Sequence, residues 1–135
     1  HTDGSYGWTK TMVSISSHSG KSVAIDKNNT IYLASTFSET VNFNTDGEED
    51  NKTSKGGLDI AISKFASNGS YLGTHTIGGS SNDNIWSQLI DNSNGLFLLG
   101  AFSSQVDFSS IGDASFIKGA SGSSDLFLMK YTFNE

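Results

Sequence analysis

The sequence predicts an all-β protein made of two tandem four-stranded antiparallel units, one in each half of the chain. Three observations lead to this fold class. Short runs of β-branched and aromatic residues alternate with clusters of Gly, Asn, Asp and Ser, and no apolar run has a helical period. The first half of the chain recurs in the second, with Gly4 aligned on Gly69. The run Leu126–Met129 is apolar on consecutive positions, which predicts a sheet covered on both faces.

The repeat is the strongest of these signals. Without a gap, more than a third of the positions in Gly4–Phe43 are identical to their counterparts in Gly69–Phe108. One extra residue in the second long loop shifts the alignment by one position for the last strand of each unit, so that Asp59 matches Asp125. We therefore interpret residues 1–135 as a single repeat domain, with repeat 1 covering about 1–67 and repeat 2 about 68–135.

Four strands are predicted in each unit, separated by turns. Asp26–Thr30 and Asp91–Gly95 are predicted hairpin turns, because Asn, Asp and Gly tolerate positive φ and their side chains bond the local backbone. The predicted strands, with their counterparts in the second unit in parentheses, are Ser5–Met12 (Ser70–Ile77), Ser22–Asp26 (Ser87–Asp91), Ile31–Phe37 (Leu96–Phe102) and Asp59–Phe65 (Asp125–Tyr131).

A small four-stranded sheet that is covered on both faces and repeated in tandem is typical of a β-propeller blade. A β-sandwich would also bury both faces of a strand, but it does not require the same unit twice in the same register. A stacked β-solenoid is the lesser alternative. The predicted fold is therefore a pair of propeller blades that belong to a larger ring or assembly.

The chain resembles the bacterial SBBP beta-propeller repeat, in two copies that cover nearly its whole length. The likeness rests on Asp26–Phe43, Gly56–Phe65 and Asn68–Gly79. The second copy departs from the pattern at Ser123-Ser124, which replaces Gly57-Leu58. The resemblance implies a secreted or surface repeat protein with no catalytic motif attached to the repeat.

A looser similarity to the NHL repeat implies the order of strands within a blade. In that repeat the equivalent of Ser22–Asp26 lines the central channel. From inside to outside the order would then be Ser22–Asp26, Ile31–Phe37, Asp59–Phe65 and the strand that contains Tyr71.

The chain begins and ends out of phase with its blades. Ser5–Met12 is an outer strand without a blade, and the blade formed by Ser87–Tyr131 lacks an outer strand. Two blades cannot close a ring, because propellers contain about four to eight. We expect either a homo-oligomer that exchanges this strand or a fragment of a longer tandem array. A trimer with six blades and an open head-to-tail filament both fit. The residues of the exchanged strand are Tyr6, Trp8, Thr9, Thr11 and Met12.

One group of residues is a candidate ligand site. Trp86 follows Asn82, Asp83 and Asn84, and an indole ring beside amide and carboxylate groups is suited to stacking on a sugar. The alternative is that Trp86 is buried between the two blades. A glycan is therefore the alternative ligand to further blades.

No catalytic or cofactor site is expected. The loop Asp46–Asp50 contains four carboxylates, which Ca²⁺ prefers, but it lacks the alternating spacing of a dedicated calcium loop and is better interpreted as a solvated loop. We find no nucleophile elbow, no Ser/His/Asp ordering and no phosphate-binding glycine loop in the sequence.

Composition limits the classes of partner and the compartment. The net charge is −6 and the chain has no arginine, which argues against nucleic acid or an anionic membrane as partner. No apolar run approaches the length of a membrane span. Abundant Ser, Thr, Asn and Gly indicate a neutral hydrogen-bonding surface, which is common in extracellular and cell-surface β-proteins. We expect a non-enzymatic scaffold or adhesion module, with a carbohydrate-binding module as the alternative, and any targeting sequence upstream of His1.

Overall fold

A computed structural model of the chain describes residues 3–44, 46–109 and 115–132. Within them every regular element is a β-strand, and no helix is long and apolar enough to cross a membrane. The strands are β1 (His18–Ile25), β2 (Ile31–Phe37), β3 (Thr40–Asn42), β4 (Asn51–Thr53), β5 (Asp59–Phe65), β6 (Tyr71–Ile77), β7 (Asn84–Ile90), β8 (Gly95–Phe102), β9 (Gln105–Asp107), β10 (Ile117–Gly119) and β11 (Asp125–Thr132).

Two antiparallel sheets contain the longer strands. The first sheet has four strands in the order β1-β2-β5-β6, which is the order that the sequence predicted for one unit. The second sheet has three strands in the order β11-β8-β7, which are the repeat counterparts of β5, β2 and β1 and occupy the equivalent places. No fourth strand lies beside β11 in the described residues, as the phase of the repeat predicted.

The hairpin turns between the inner strands confirm the prediction made for them. Asp26 Oδ1 accepts hydrogen bonds from the amides of Asn28 and Thr30 at 2.9 and 2.8 Å. Asp91 Oδ1 repeats this pattern with Ser93 and Gly95 at 2.8 and 2.7 Å. Each turn contains one asparagine at positive φ, Asn29 at 62° and Asn94 at 60°.

Two short hairpins were not predicted as paired strands. β3 pairs with β4, and β9 pairs with β10 at the equivalent place in the second unit. A positive-φ residue precedes each hairpin, Glu39 in the first and Ser104 in the second. Each hairpin contributes a fully buried valine to the core, Val41 and Val106. Each hairpin therefore covers apolar side chains at one end of its sheet.

The two sheets pack face to face around one main core. β7 of the second sheet lies against β1 and β2 of the first. Buried apolar side chains from both sheets form this core, among them Tyr32, Ile60, Ile85, Leu96 and Leu98. The front face of the first sheet carries Tyr32, Ala34, Ile60 and Ile62, and its back face carries Val23, Ile31, Leu33 and Phe65. The front and back faces of the second sheet are those that carry the repeat counterparts of these residues. The front face of the first sheet packs on the back face of the second.

One side chain bonds the two sheets directly. Gln88 is buried on the back face of the second sheet, and its Nε2 donates to the backbone oxygens of Tyr32 and Ser22 at 2.6 and 3.0 Å. Its repeat counterpart on the first sheet is Val23, which is exposed. The polar residue therefore occupies this repeat position in the second sheet, the one whose back face packs on a neighbouring sheet of the chain.

The predicted strand Ser5–Met12 is not a strand in the structure, and this part of the prediction is wrong for the single chain. The segment is irregular and lies against the back face of the first sheet. Trp8 Nε1 donates to the backbone oxygen of Ser67 at 3.1 Å, Lys10 pairs with Asp46, and Met12 packs on the cluster that contains Phe37. A strand needs the free edge of a sheet, and β6 already occupies the outer edge of the nearest one.

We expect Gln88→Ala to lower the free energy of unfolding by about 1–3 kcal/mol, because two buried carbonyl oxygens lose their side-chain donor. Urea unfolding monitored by circular dichroism measures this change. Gln105→Ala is the matched control, since Gln105 is an exposed glutamine and its loss should cost less than about 0.5 kcal/mol. Equal changes in the two variants would show that the inter-sheet bonds contribute nothing.

Candidate functional site: open faces and an open edge

The front face of the second sheet is open in this chain. Leu126 and Leu128 on β11 are 62% and 69% exposed, and Leu89 on β7 is 58% exposed. Phe97 and Leu99 of the central strand β8 lie between them on the same face. The sequence predicted that both faces of the strand Leu126–Met129 are covered; in the part of the chain that the structure describes, Phe127 on its back face is buried while Leu126 and Leu128 on its front face are exposed.

The repeat shows what the open front face corresponds to. Its residues Phe97, Leu99, Leu126 and Leu128 are the counterparts of Tyr32, Ala34, Ile60 and Ile62. In the first sheet those four residues are buried beneath the second sheet. The same surface is therefore an interior in one sheet and an exposed apolar patch in the other.

The back face of the first sheet is the complementary surface, and it is open in part. Val23 and Ile25 are 62% and 59% exposed, while Trp8, Lys10 and Met12 lie over Ile31, Leu33 and Phe65. The counterparts of Ile31 and Leu33 in the second sheet are Leu96 and Leu98, which the front face of the first sheet buries. The two outer faces of the chain therefore correspond to the two surfaces that pack together in its interior.

A groove follows the free edge of β11. Its volume is about 580 Å³, and its walls are β11 on one side and Phe116 and Lys118 on the other. Phe102, Phe108 and Phe127 line it from below. In the first sheet the corresponding edge of β5 is paired with β6.

The predicted ligand residues do not form one site. Asp83 is fully buried and accepts hydrogen bonds from the amides of Gly79 and Ser103 at 2.8 and 3.0 Å. Asn82 Oδ1 accepts from the amide of Leu58 at 2.9 Å. These residues hold the linker 78–83 between the sheets, a role that sequence reasoning missed. Asn84 begins β7 and is half-buried.

Trp86 is not buried between the sheets, so the alternative prediction for this residue is wrong. Its side chain is 54% exposed. The cause is a β-bulge, because the ladder between β7 and β8 passes from Ile85 directly to Ser87 and leaves Trp86 unpaired. β1 has the same bulge between Gly20 and Ser22, at the counterpart Lys21.

The linker brings together two buried carboxyl groups, Asp59 and Asp83. Asp59 Oδ2 accepts from the amide of Lys55 at 2.9 Å, while its Oδ1 is buried without a hydrogen-bond partner. Burial, together with the negative charge of Asp83, raises the pKa of Asp59 to about 6. Burial also raises the pKa of Asp83. A side chain on Gly78 would collide with the Asp59 carboxylate, so glycine is required there.

The described residues contain no group of three or more His, Asp or Glu side chains arranged to hold a metal ion. In the acidic loop, Asp46 pairs with Lys10, and Asp50 accepts a hydrogen bond of 2.6 Å from the hydroxyl of Tyr71. These carboxylates therefore contact the N-terminal segment and β6.

Comparison of the chain with protein-family models, with curated proteins and with solved structures finds no match. The resemblance to the SBBP repeat therefore stays a prediction. The candidate site is identified from the internal repeat, by comparing each surface of one sheet with the equivalent surface of the other.

Asp59 predicts a pH-dependent stability of definite sign. A carboxyl group whose pKa is raised in the folded state favours folding when it is protonated, so the free energy of unfolding should fall as pH rises from about 4 to about 6. Asp59→Asn should remove most of this decline, which amounts to at most about 3 kcal/mol, and Asp83 accounts for the remainder. Urea unfolding at a series of pH values measures the slope.

Asp125→Asn is the control for this prediction. Asp125 occupies the same place in the second unit and accepts from the amide of Ser121 at 2.8 Å, but it is only half-buried. The control removes a carboxylate from the equivalent position, so a decline between pH 4 and 6 that is lost in Asp59→Asn and kept in Asp125→Asn is assigned to Asp59. An unchanged slope in Asp59→Asn would contradict the assignment to Asp59.

Proposed function

We propose that this chain is a non-enzymatic module of a β-propeller-type scaffold that associates by stacking the front face of its second sheet on the back face of another copy. One observation carries the proposal: the exposed front face is the repeat counterpart of a face that is buried in the same chain. A surface of this kind has a matching partner already present in the molecule, the back face of the first sheet.

The proposed contact is heterologous, because a front face meets a back face. Contacts of this type form a ring if the rotation between copies closes and a filament if it does not. Each chain supplies two blade-like sheets, and propellers contain about four to eight blades, so three copies would form a six-bladed ring. A longer chain with further repeats would satisfy the same faces without association between chains.

The charge and chemistry of the open surfaces support a structural role. The front face of the second sheet carries leucine and phenylalanine, with Lys130 paired to Asp91 at 2.9 Å at its border. Asp59 at the start of β5 and Asp83 in the linker 78–83, two carboxyl groups whose pKa burial raises, accept hydrogen bonds from backbone amides and help to hold the linker. The proposed location is extracellular or on the cell surface, which rests on the neutral polar composition and on the family resemblance.

A glycan-binding role is the second candidate function, and the exposure of Trp86 favours it. The indole ring projects from a bulge, with exposed Ser87 beside it in sequence. Asn82 and Asp83 are occupied by bonds to the backbone, so a sugar would be recognised mainly by stacking on Trp86.

Leu89→Lys should weaken self-association at least about tenfold, because it places a charge on the open front face. Sedimentation velocity over a range of concentrations measures the dissociation constant. Ile15→Lys is the matched control: Ile15 is fully exposed and lies on neither face, so association should be unchanged. A wild-type chain that stays monomeric at high micromolar concentration would contradict the proposal.

The glycan alternative predicts a change in tryptophan fluorescence on addition of a bound sugar, with candidates taken from a glycan array. Trp86→Ala should abolish both binding and the fluorescence change, whereas Trp8→Ala should retain them, because the Trp8 indole is already bonded to Ser67. Binding that survives in Trp86→Ala would exclude this site.

A further inference from the structure

The groove beside β11 corresponds to the position that a fourth strand of the second sheet would occupy. Phe102, Phe108 and Phe127, which line it, are the repeat counterparts of Phe37, Phe43 and Ala61. In the first sheet this cluster is covered by Tyr71, the first residue of β6. The groove is therefore the place that β6 occupies in the first sheet, left open in the second.

We infer that residues 5–12 of a second copy add to the free edge of β11 as its fourth strand. This inference rests on the proposed stacking, and it names the segment that accompanies it. Among the described residues β11 is an edge strand, which pairs with β8 on one side and with no described strand on the other. An extended segment can pair with such an edge by main-chain hydrogen bonds.

The repeat identifies the occupant. The alignment of the two units carries Tyr71, Thr74 and Thr76 of β6 onto Tyr6, Thr9 and Thr11. The chain thus contains two copies of the outer-strand sequence, and only the second copy is in a ladder. The first copy is also the segment that immediately precedes the first sheet, as β6 immediately precedes the second.

The ladder between β5 and β6 gives the register of the inferred pairing. Ile60, Ile62 and Lys64 pair with Ile77, His75 and Gly73. Transferred by the alignment of the two units, these pairs become Leu126–Met12, Leu128–Lys10 and Lys130–Trp8.

The side chains of the transferred pairs are chemically compatible. Met12 would cover Leu126, which is exposed in the single chain. Trp8 would lie beside Lys130, whose Nζ already lies 5.0 Å from the centre of the Phe97 ring. The ladder also pairs Phe65 with Tyr71, whose ring centres are 5.7 Å apart, and the same transfer gives the aromatic pair Tyr131–Tyr6.

The donated segment must come from another copy. Within one chain, residues 5–12 lie on the back face of the first sheet, and the first sheet separates them from the second. There Trp8 bonds to Ser67, Lys10 pairs with Asp46, and Met12 packs on the cluster that contains Phe37. Release of the segment would also uncover the back face, so strand donation and stacking would occur together.

Disulfide cross-linking in register tests the inference, because the chain contains no cysteine. A Lys10→Cys chain and a Leu128→Cys chain are mixed, and the disulfide-linked heterodimer is measured after mild oxidation. The off-register control replaces the second chain by Thr132→Cys, whose residue lies four positions, or about 13 Å, further along β11. We expect at least about tenfold more heterodimer from the first mixture than from the control.

The outcomes separate this inference from the proposed stacking. Sedimentation velocity of the same mixtures under reducing conditions reports whether the chains associate. Association with equal cross-linking in the two mixtures, or with none, would overturn strand donation and leave the stacking intact. A complete lack of association would overturn both. A synthetic peptide of residues 3–14 should lower the yield of the in-register heterodimer, and an equal effect of a scrambled peptide would show that the groove accepts other strands as well.

Discussion

The packing of a front face on a back face is the contact on which the rest of this structure depends. It buries the larger of the two apolar clusters of the described residues, Gln88 bonds across it, and the linker 78–83 bonds to Leu58 of the first unit and Ser103 of the second. Its two surfaces are unlike, because one is built from alternate residues of β2 and β5 and the other from the opposite alternation in β8 and β11. A stack of such sheets that does not close into a ring therefore ends with one unsatisfied surface of each kind.

The two outer faces of the packed sheets are covered to different extents. The irregular N-terminal segment covers much of the back face of the first sheet with Trp8 and Met12. Nothing in the described residues covers the front face of the second sheet, and the edge of β11 is free as well. The two ends of the molecule therefore differ: residues 5–12 cover much of one end, and the other end exposes leucine side chains to water.

Much of this architecture was predictable because it follows from local signals that occur twice. The Asp–Asn turns at Asp26 and Asp91 fix the inner hairpins, and the alternation of apolar residues fixes which strands are central. The strand order of the first sheet followed from the resemblance to known repeats. The features that could not be predicted from the sequence depend on contacts between residues that are far apart in the sequence. The conformation of residues 5–12 depends on which sheet edge is free, and the burial of Asp59 and Asp83 depends on how the linker crosses between sheets.

Trp86 illustrates the same limit at one residue. A large aromatic side chain in a strand predicts burial, but the extra residue of a β-bulge leaves the ladder and leaves the core with it. Lys21 occupies the equivalent bulge in the first sheet, so two residues of very different size and charge occupy one structural position. The edge strand β1 and its counterpart β7 thus each carry one side chain that neither the core nor the ladder constrains. In any stack of these sheets such positions recur once per repeat, and they form a row whose chemistry can be changed residue by residue while the fold stays the same.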